Sequence, residues 1–297
     1  MSLTNFPNGI TSFGSPVYGG TTDIASGNIY WVSKSRGSDS NPGTYDKPYL
    51  TIAKAITTMN NRISWSASPW AKSDRLLIEP GKYAENLTSL PYGCDVIGLG
   101  NSWDVDGERG VTIQPATGSP VDVTSCINSK IANICFAGTD TSVLFQADNF
   151  NRNILVDCVF HGVAGASPTT TIGFEVVKDM TGSLIKNCRF LVCKTGLTMT
   201  ADNANSKQIT GNEFDNLYVT GGDTAGIVFH VNSTPSYTVV KNSNFDGGSS
   251  TLALGADDNS TGELVHFYNC NFEATACDPA SGSGHYNNCY LNGTLMT

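Results

Sequence analysis

The sequence has little charge. Only 14% of its 297 residues are Asp, Glu, Lys or Arg, and the 17 basic residues are scattered with no Lys/Arg-rich run. At a net charge of −9 there is no basic stripe to hold a phosphate backbone, so nucleic acid is not expected as a partner. Long apolar runs are missing too. No stretch approaches the ~18 consecutive apolar residues of a membrane span, so no membrane partner is expected. Residues 1–20 contain neither a basic n-region nor an apolar h-region, so no signal peptide is expected. There is no Cys-x-x-Cys, and nine cysteines is an odd number; neither a disulfide framework, nor a metal, nor a cofactor is expected. Helix-forming runs of Glu, Lys, Leu and Ala are absent as well.

What the chain does have is turn formers and β-branched residues. It carries 31 glycines and abundant Asn, Ser and Thr, the composition of an all-β protein. At this length it is long for one globular core and short for two. A solenoid escapes that limit, because each repeat contacts only its neighbours.

A repeat supports the solenoid. Asp157-Cys158-Val159-Phe160, Asn187-Cys188-Arg189-Phe190, Gly211-Asn212-Glu213-Phe214, Asn242-Ser243-Asn244-Phe245 and Asn269-Cys270-Asn271-Phe272 share one pattern, with Asn288-Cys289-Tyr290-Leu291 a degenerate copy and Ile134-Cys135-Phe136 a shifted one. The second and fourth positions lie two apart and so share one face of a strand, while the mostly polar third position takes the other. The first, Asn or Asp in most copies, tolerates the left-handed conformation of a bend. The aromatic position returns every 24 to 31 residues, which suits a coil of about three short strands. Stacked coils then place like on like. Phe136, Phe160, Phe190, Phe214, Phe245 and Phe272 are expected to form an internal ladder, with Cys158, Cys188, Cys270 and Cys289 as small buried hydrophobes beside it. The fold class is therefore all-β: a parallel β-helix.

Ahead of the repeat, Ile52, Ala55, Ile56 and Met59 have helical spacing, with Thr51 as a candidate N-cap. A short helix here would cover the open first coil. The order Val32-Ser33, Asn41-Pro42-Gly43-Thr44, Pro48-Tyr49-x-Thr51-Ile52, then Ile78-x-Pro80-Gly81-x-Tyr83, then Val96-Ile97-Gly98-Leu99-Gly100 resembles the first coils of the pectin-lyase-like superfamily. That resemblance spans about residues 30–293 and implies a right-handed, single-stranded parallel β-helix. The superfamily includes polysaccharide lyases, hydrolases and phage tailspikes. Three regions are expected: an irregular N-terminal arm over 1–29, a capping segment with a short helix over 30–74, and a shaft over 75–297. The arm, with Phe6, Pro7, Phe13 and Val17, resembles the N-terminal arms of tailed-phage virion proteins and is expected to dock on another virion protein.

Candidates for chemistry are sparse. Asp257 and Asp258, with His285 about one coil later, resemble the paired-Asp and Gly-His elements of polygalacturonase-like enzymes. The neighbouring Asn-Thr-Asp and Arg-x-Lys motifs are missing, so a solvated turn is the expected reading. Arg189, at a third position, is expected to point outward. Asp104-Val105-Asp106-Gly107-Glu108 is a fragment of a calcium loop that lacks its closing Glu, and is expected to be a surface loop.

Two functions follow from the resemblance. The expected one is a non-enzymatic structural virion protein, a capsid decoration or short tailspike on the particle surface, with possible attachment to a host glycan. An open last coil needs a cover, and related viral β-helices are usually trimers, so the resemblance implies a homotrimer. The alternative is a polysaccharide-degrading enzyme, pectate-lyase-like or polygalacturonase-like, on the same scaffold.

Overall fold

In the computed structural model, which describes residues 11–12, 15–16, 27–62, 73–103, 105–139, 142–163, 170, 172–199, 207–229, 233–247, 252–258, 265–277 and 285–296, the chain winds into a right-handed parallel β-helix. One coil shows the plan: Leu184–Lys186 forms a first face, Arg189–Leu191 a second and Thr195–Met199 a third. First faces stack into a ten-stranded sheet that runs from Ile29–Val32 to His285–Asn287. Second and third faces join in an 18-stranded sheet. No described helix is long and apolar enough to cross a membrane.

Two corners bound each first face. Asn128, Arg152, Gly182, Gly211 and Tyr237 have positive φ at the first corner, and Asn133, Asp157, Asn187, Asn216 and Asn242 at the second, five residues later each time. Asn269 and Asn288 continue the second corner. Left-handed backbone is open to Gly, and to Asn and Asp with little strain, which is why the second corner is Asn or Asp at all of these positions. Its side chains also link coil to coil. Asn187 Nδ2 donates to Asp157 Oδ1 at 3.0 Å, and Asn216 Nδ2 to Asn187 Oδ1 at 2.9 Å. Farther along, Asn269 donates to Asn242 and Asn288 to Asn269.

The core is a column of stacked side chains. On the second face Phe136, Phe160 and Phe190 are in register, with ring centroids 5.2 and 4.6 Å apart; Phe245 and Phe272 stack at 5.1 Å. All five are buried. The cysteines Cys158, Cys188, Cys270 and Cys289 are buried free thiols next to this column. Burial pushes the Cys188 thiol up, with the adjacent Cys158 adding to the effect.

One member of the expected ladder belongs elsewhere. Phe214 is fully buried, but on the first face, in register with Ile185 and Val240. The rung between Phe190 and Phe245 is Val219. The reason is that Gly211-Asn212 is a first corner, whereas the second corner of that coil is Asn216-Leu217. Asn212 likewise belongs to an inner polar stack at the first corner rather than to the cysteine column. Its Oδ1 accepts from Ser183 N at 2.9 Å, and Asn153 Oδ1 accepts from Ser129 N at the same distance.

The cap is a helix over Ile52–Arg62 that buries Ile52, Ala55, Ile56 and Met59. Thr51 Oγ1 accepts from Lys54 N, and Glu85 accepts from the N–H groups of Ile52 and Ala53 at 3.0 and 2.9 Å. Burial raises the Glu85 pKa against the pull of those two donors. At the N-terminus Thr11–Ser12 and Ser15–Pro16 form an antiparallel pair. Phe6, Pro7, Phe13 and Val17 lie outside the described residues.

Candidate functional site

Second corners and second faces of three successive coils, with a loop from earlier in the chain, line a cleft of about 220 Å³. Asp157, Asn187 and Asn216 supply a polar wall from the corner ladder. Arg189 and Tyr218, adjacent in register on the outer side of the second face, supply the floor. Trp103 comes from a loop of the preceding region.

That loop is held at its base. Asn101 N donates to Arg109 O at 2.8 Å, and Asn133 Nδ2 donates to the carbonyls of Gly98 and Gly100, each at 2.8 Å. Gly100, at φ +93°, lies where a Cβ would strike the Arg109 carbonyl at 2.0 Å, so the loop can close only with glycine there. Val105 packs on the buried cluster of Cys135, Ala137 and Val159 on the second face, which fixes the loop over the coils. Trp103 is thereby carried to Arg189. The guanidinium carbon sits 3.4 Å from the indole centroid and 5.5 Å from that of Tyr218. Contacts of this kind contribute on the order of 0.5–2 kcal/mol each.

The cleft retains unused hydrogen-bonding capacity. Arg189 forms no ion pair and no hydrogen bond with a described residue, so its donor edge is available. Asp157 commits one oxygen to Asn187, and Asn216 commits one N–H. Trp103 is 51% exposed, unusually open for an indole. Such a site offers an aromatic surface, a planar cation, a carboxylate and two amides within one opening.

The sequence-derived candidates lie apart from it. Asp257 and Asp258 end the strand Leu252–Asp258 of the 18-stranded sheet, in register with Val228 and Phe229. Their side chains are outside the described set. His285 begins His285–Asn287 of the ten-stranded sheet and has His266 as its register partner. The three candidates therefore lie on different faces of the coil. Arg189 points outward as its third position requires. Trp103 and Tyr218 carry no motif. The one signal for the former is a tryptophan in a Gly-bounded loop, and the coil register that unites it with Arg189 is not written in local sequence.

No protein-family model matches the sequence, and no curated protein matches it. Similar solved structures exist. A pectin methylesterase in complex with a hexasaccharide has a TM-score of 0.57 at 15% identity, over 90% of this chain and 90% of that one. A GH136 lacto-N-biosidase from Eubacterium ramulus has a TM-score of 0.54 at 12% identity, over 89% of this chain. This chain spans about half of the lacto-N-biosidase, 55% of its length. At these identities the likeness is one of fold, the right-handed β-helix.

Proposed function

We propose that this chain is a non-enzymatic, glycan-attaching β-helix exposed on the surface of a virion. The observation that carries the attachment role is the Trp103–Arg189–Tyr218 cleft with its Asp157–Asn187–Asn216 wall. A pyranose presents apolar C–H faces and paired hydroxyls. Aromatic rings match the first, and planar guanidinium, amide and carboxylate groups match the second. Corners and strands supply all of the cleft but Ser102 and Trp103, whose loop is held at its base by Asn133, so little ordering is needed to bind a weakly interacting ligand. The virion setting rests on the likeness of residues 1–29 to phage arms, and the homotrimer on that of the shaft to viral β-helices.

The charge inventory of the cleft supports the non-enzymatic reading against one of its alternatives, glycoside hydrolysis. Glycoside hydrolysis uses two carboxylates spaced for acid and base or nucleophile. Among the described residues lining the cleft, Asp157 is the sole carboxylate, and it already accepts from Asn187. The second reading, a polysaccharide-degrading enzyme, draws on the two similar structures, which are named for pectin and for lacto-N-biose.

Oligosaccharide-array screening followed by calorimetry on the best ligand separates the two. Trp103→Ala and Arg189→Ala should each weaken binding at least about tenfold with the circular dichroism unchanged, the loss of roughly 1.4 kcal/mol expected from one stacked or bidentate contact. Chromatography of the ligand after long incubation should show it intact. Shortened or de-esterified products would sink the attachment reading in favour of the enzyme.

A further inference from the structure

Two of the chain's four histidines occupy the same position on successive coils. The strands Val265–Tyr268 and His285–Asn287 run parallel, with His266 opposite His285 and Phe267 opposite Tyr286. Phe267 is fully buried and stacks on Tyr286 at 4.8 Å, which locks this register and turns both imidazoles to the outer face. Their rings lie 5.0 Å apart and 19° from parallel. Tyr268 flanks His266 at 6.0 Å.

The pair is chemically uncommitted. His266 Nδ1 is enclosed and has no hydrogen-bond partner among the described residues. Neither imidazole forms an ion pair or a hydrogen bond with a described residue. His285 itself is exposed. The nearest lysine in register, Lys241 opposite Tyr268, is held by Glu213 at 2.8 Å, so its charge is compensated. An enclosed ring nitrogen with no partner is a rare and costly arrangement, and a Lewis acid is the kind of partner that would satisfy it.

We propose that His266 and His285 form a two-histidine site for a divalent transition-metal ion of the zinc, copper or nickel class, with water completing the coordination from the open side. Two metal–nitrogen bonds of about 2.0–2.1 Å span at most roughly 4 Å between nitrogens. In the near-parallel stack the in-plane lone pairs point side by side, so the His285 ring must rotate about its side-chain bonds to converge on the ion held by His266; exposed and on the last strand of its sheet, it has the room to do so. The site is separate from the glycan cleft and does not depend on it. It ties the final coil to the one before, beside a corner joined by Asn269 N to Asn287 O at 3.1 Å and by Asn288 Nδ2 to Asn269 Oδ1 at 2.8 Å.

Calorimetric titration of the full chain with Zn²⁺ tests the idea, paired with electron paramagnetic resonance of the Cu²⁺ form. The expected result is one ion per chain and a copper signal showing two nitrogen ligands. Affinity should fall at least about tenfold in His285→Ala, whose exposed position keeps the fold intact, and likewise in His266→Ala. Binding should fade on acidification, because the proton competes with the ion for imidazole. Equal affinity in wild type and His285→Ala would overturn the proposal by assigning the uptake to thiols such as the half-buried Cys277. Absence of uptake at millimolar Zn²⁺ would overturn it outright.

Discussion

At the scale of single residues, the chain shows how one local rule serves two places. A left-handed residue, a buried one, an outward one and a second buried one make up both corners of the coil that holds Phe214. The pattern Gly211-Asn212-Glu213-Phe214 obeys it, and so does Asn216-Leu217-Tyr218-Val219. Only the first contains Phe, so a reader of the sequence follows the aromatic and lands on the wrong face. Burial was legible at this scale and face was not, because Phe, Val and Leu satisfy the same inward position. Phe214 remains a core residue in either place. Its truncation to Ala should cost roughly 3–5 kcal/mol in urea unfolding, the usual range for a fully buried Phe. A loss below about 1 kcal/mol would mean that the first face is not packed as described.

At the scale of elements, the outer side of the first face is held by alternating charge. Lys186 meets Asp215 at 3.0 Å, and Lys241 meets Glu213 at 2.8 Å, each across neighbouring coils. Asp215 is 6% exposed. Burial works against its charge, but hydrogen bonds from Asn242 and Lys186 outweigh it and hold the carboxyl below its ordinary range. A depressed carboxylate lends stability above its unfolded pKa, near 3.9, and loses it as pH falls through the folded value. Asp215→Asn should therefore be less stable than wild type at pH 7 by about 1–2 kcal/mol, discounted for the exposed lysine. Urea midpoints measured down the pH scale should converge below about pH 4. A gap that persists at the lowest pH would assign the effect to packing. The helix was legible at this scale, because its stripe and its Thr51 cap are local. The cleft was not: Trp103 reaches Arg189 only through coil stacking.

At the scale of the whole molecule, each coil rests on its neighbours alone, so ends matter more than in a globular domain. The proposed homotrimer makes a direct prediction. Light scattering of the full chain and of a variant lacking residues 1–26, which spares Asn28 and the strand from Ile29, should give three times the chain mass for both, leaving the arm free for another virion protein. Two monomers would remove the assembly from the reading. The resemblance to β-helix proteins was legible across most of the chain because turns, caps and coil pitch are repeated many times. Function was not, since the scaffold carries enzymes and inert shafts alike.

The fixed interval of five residues between the corners has a further consequence. From Asn128 to Tyr237 the distance between successive first corners varies from 24 to 30 residues, yet the step to the second corner never changes. Each coil is thus a line of print with a justified left edge and a ragged right one. Text of differing length can be added on the ragged side without disturbing the column in which Arg189 and Tyr218 stand. One letter added between Gly211 and Asn216 would instead turn the residues of the strand Glu213–Asp215 that follow it to the opposite side.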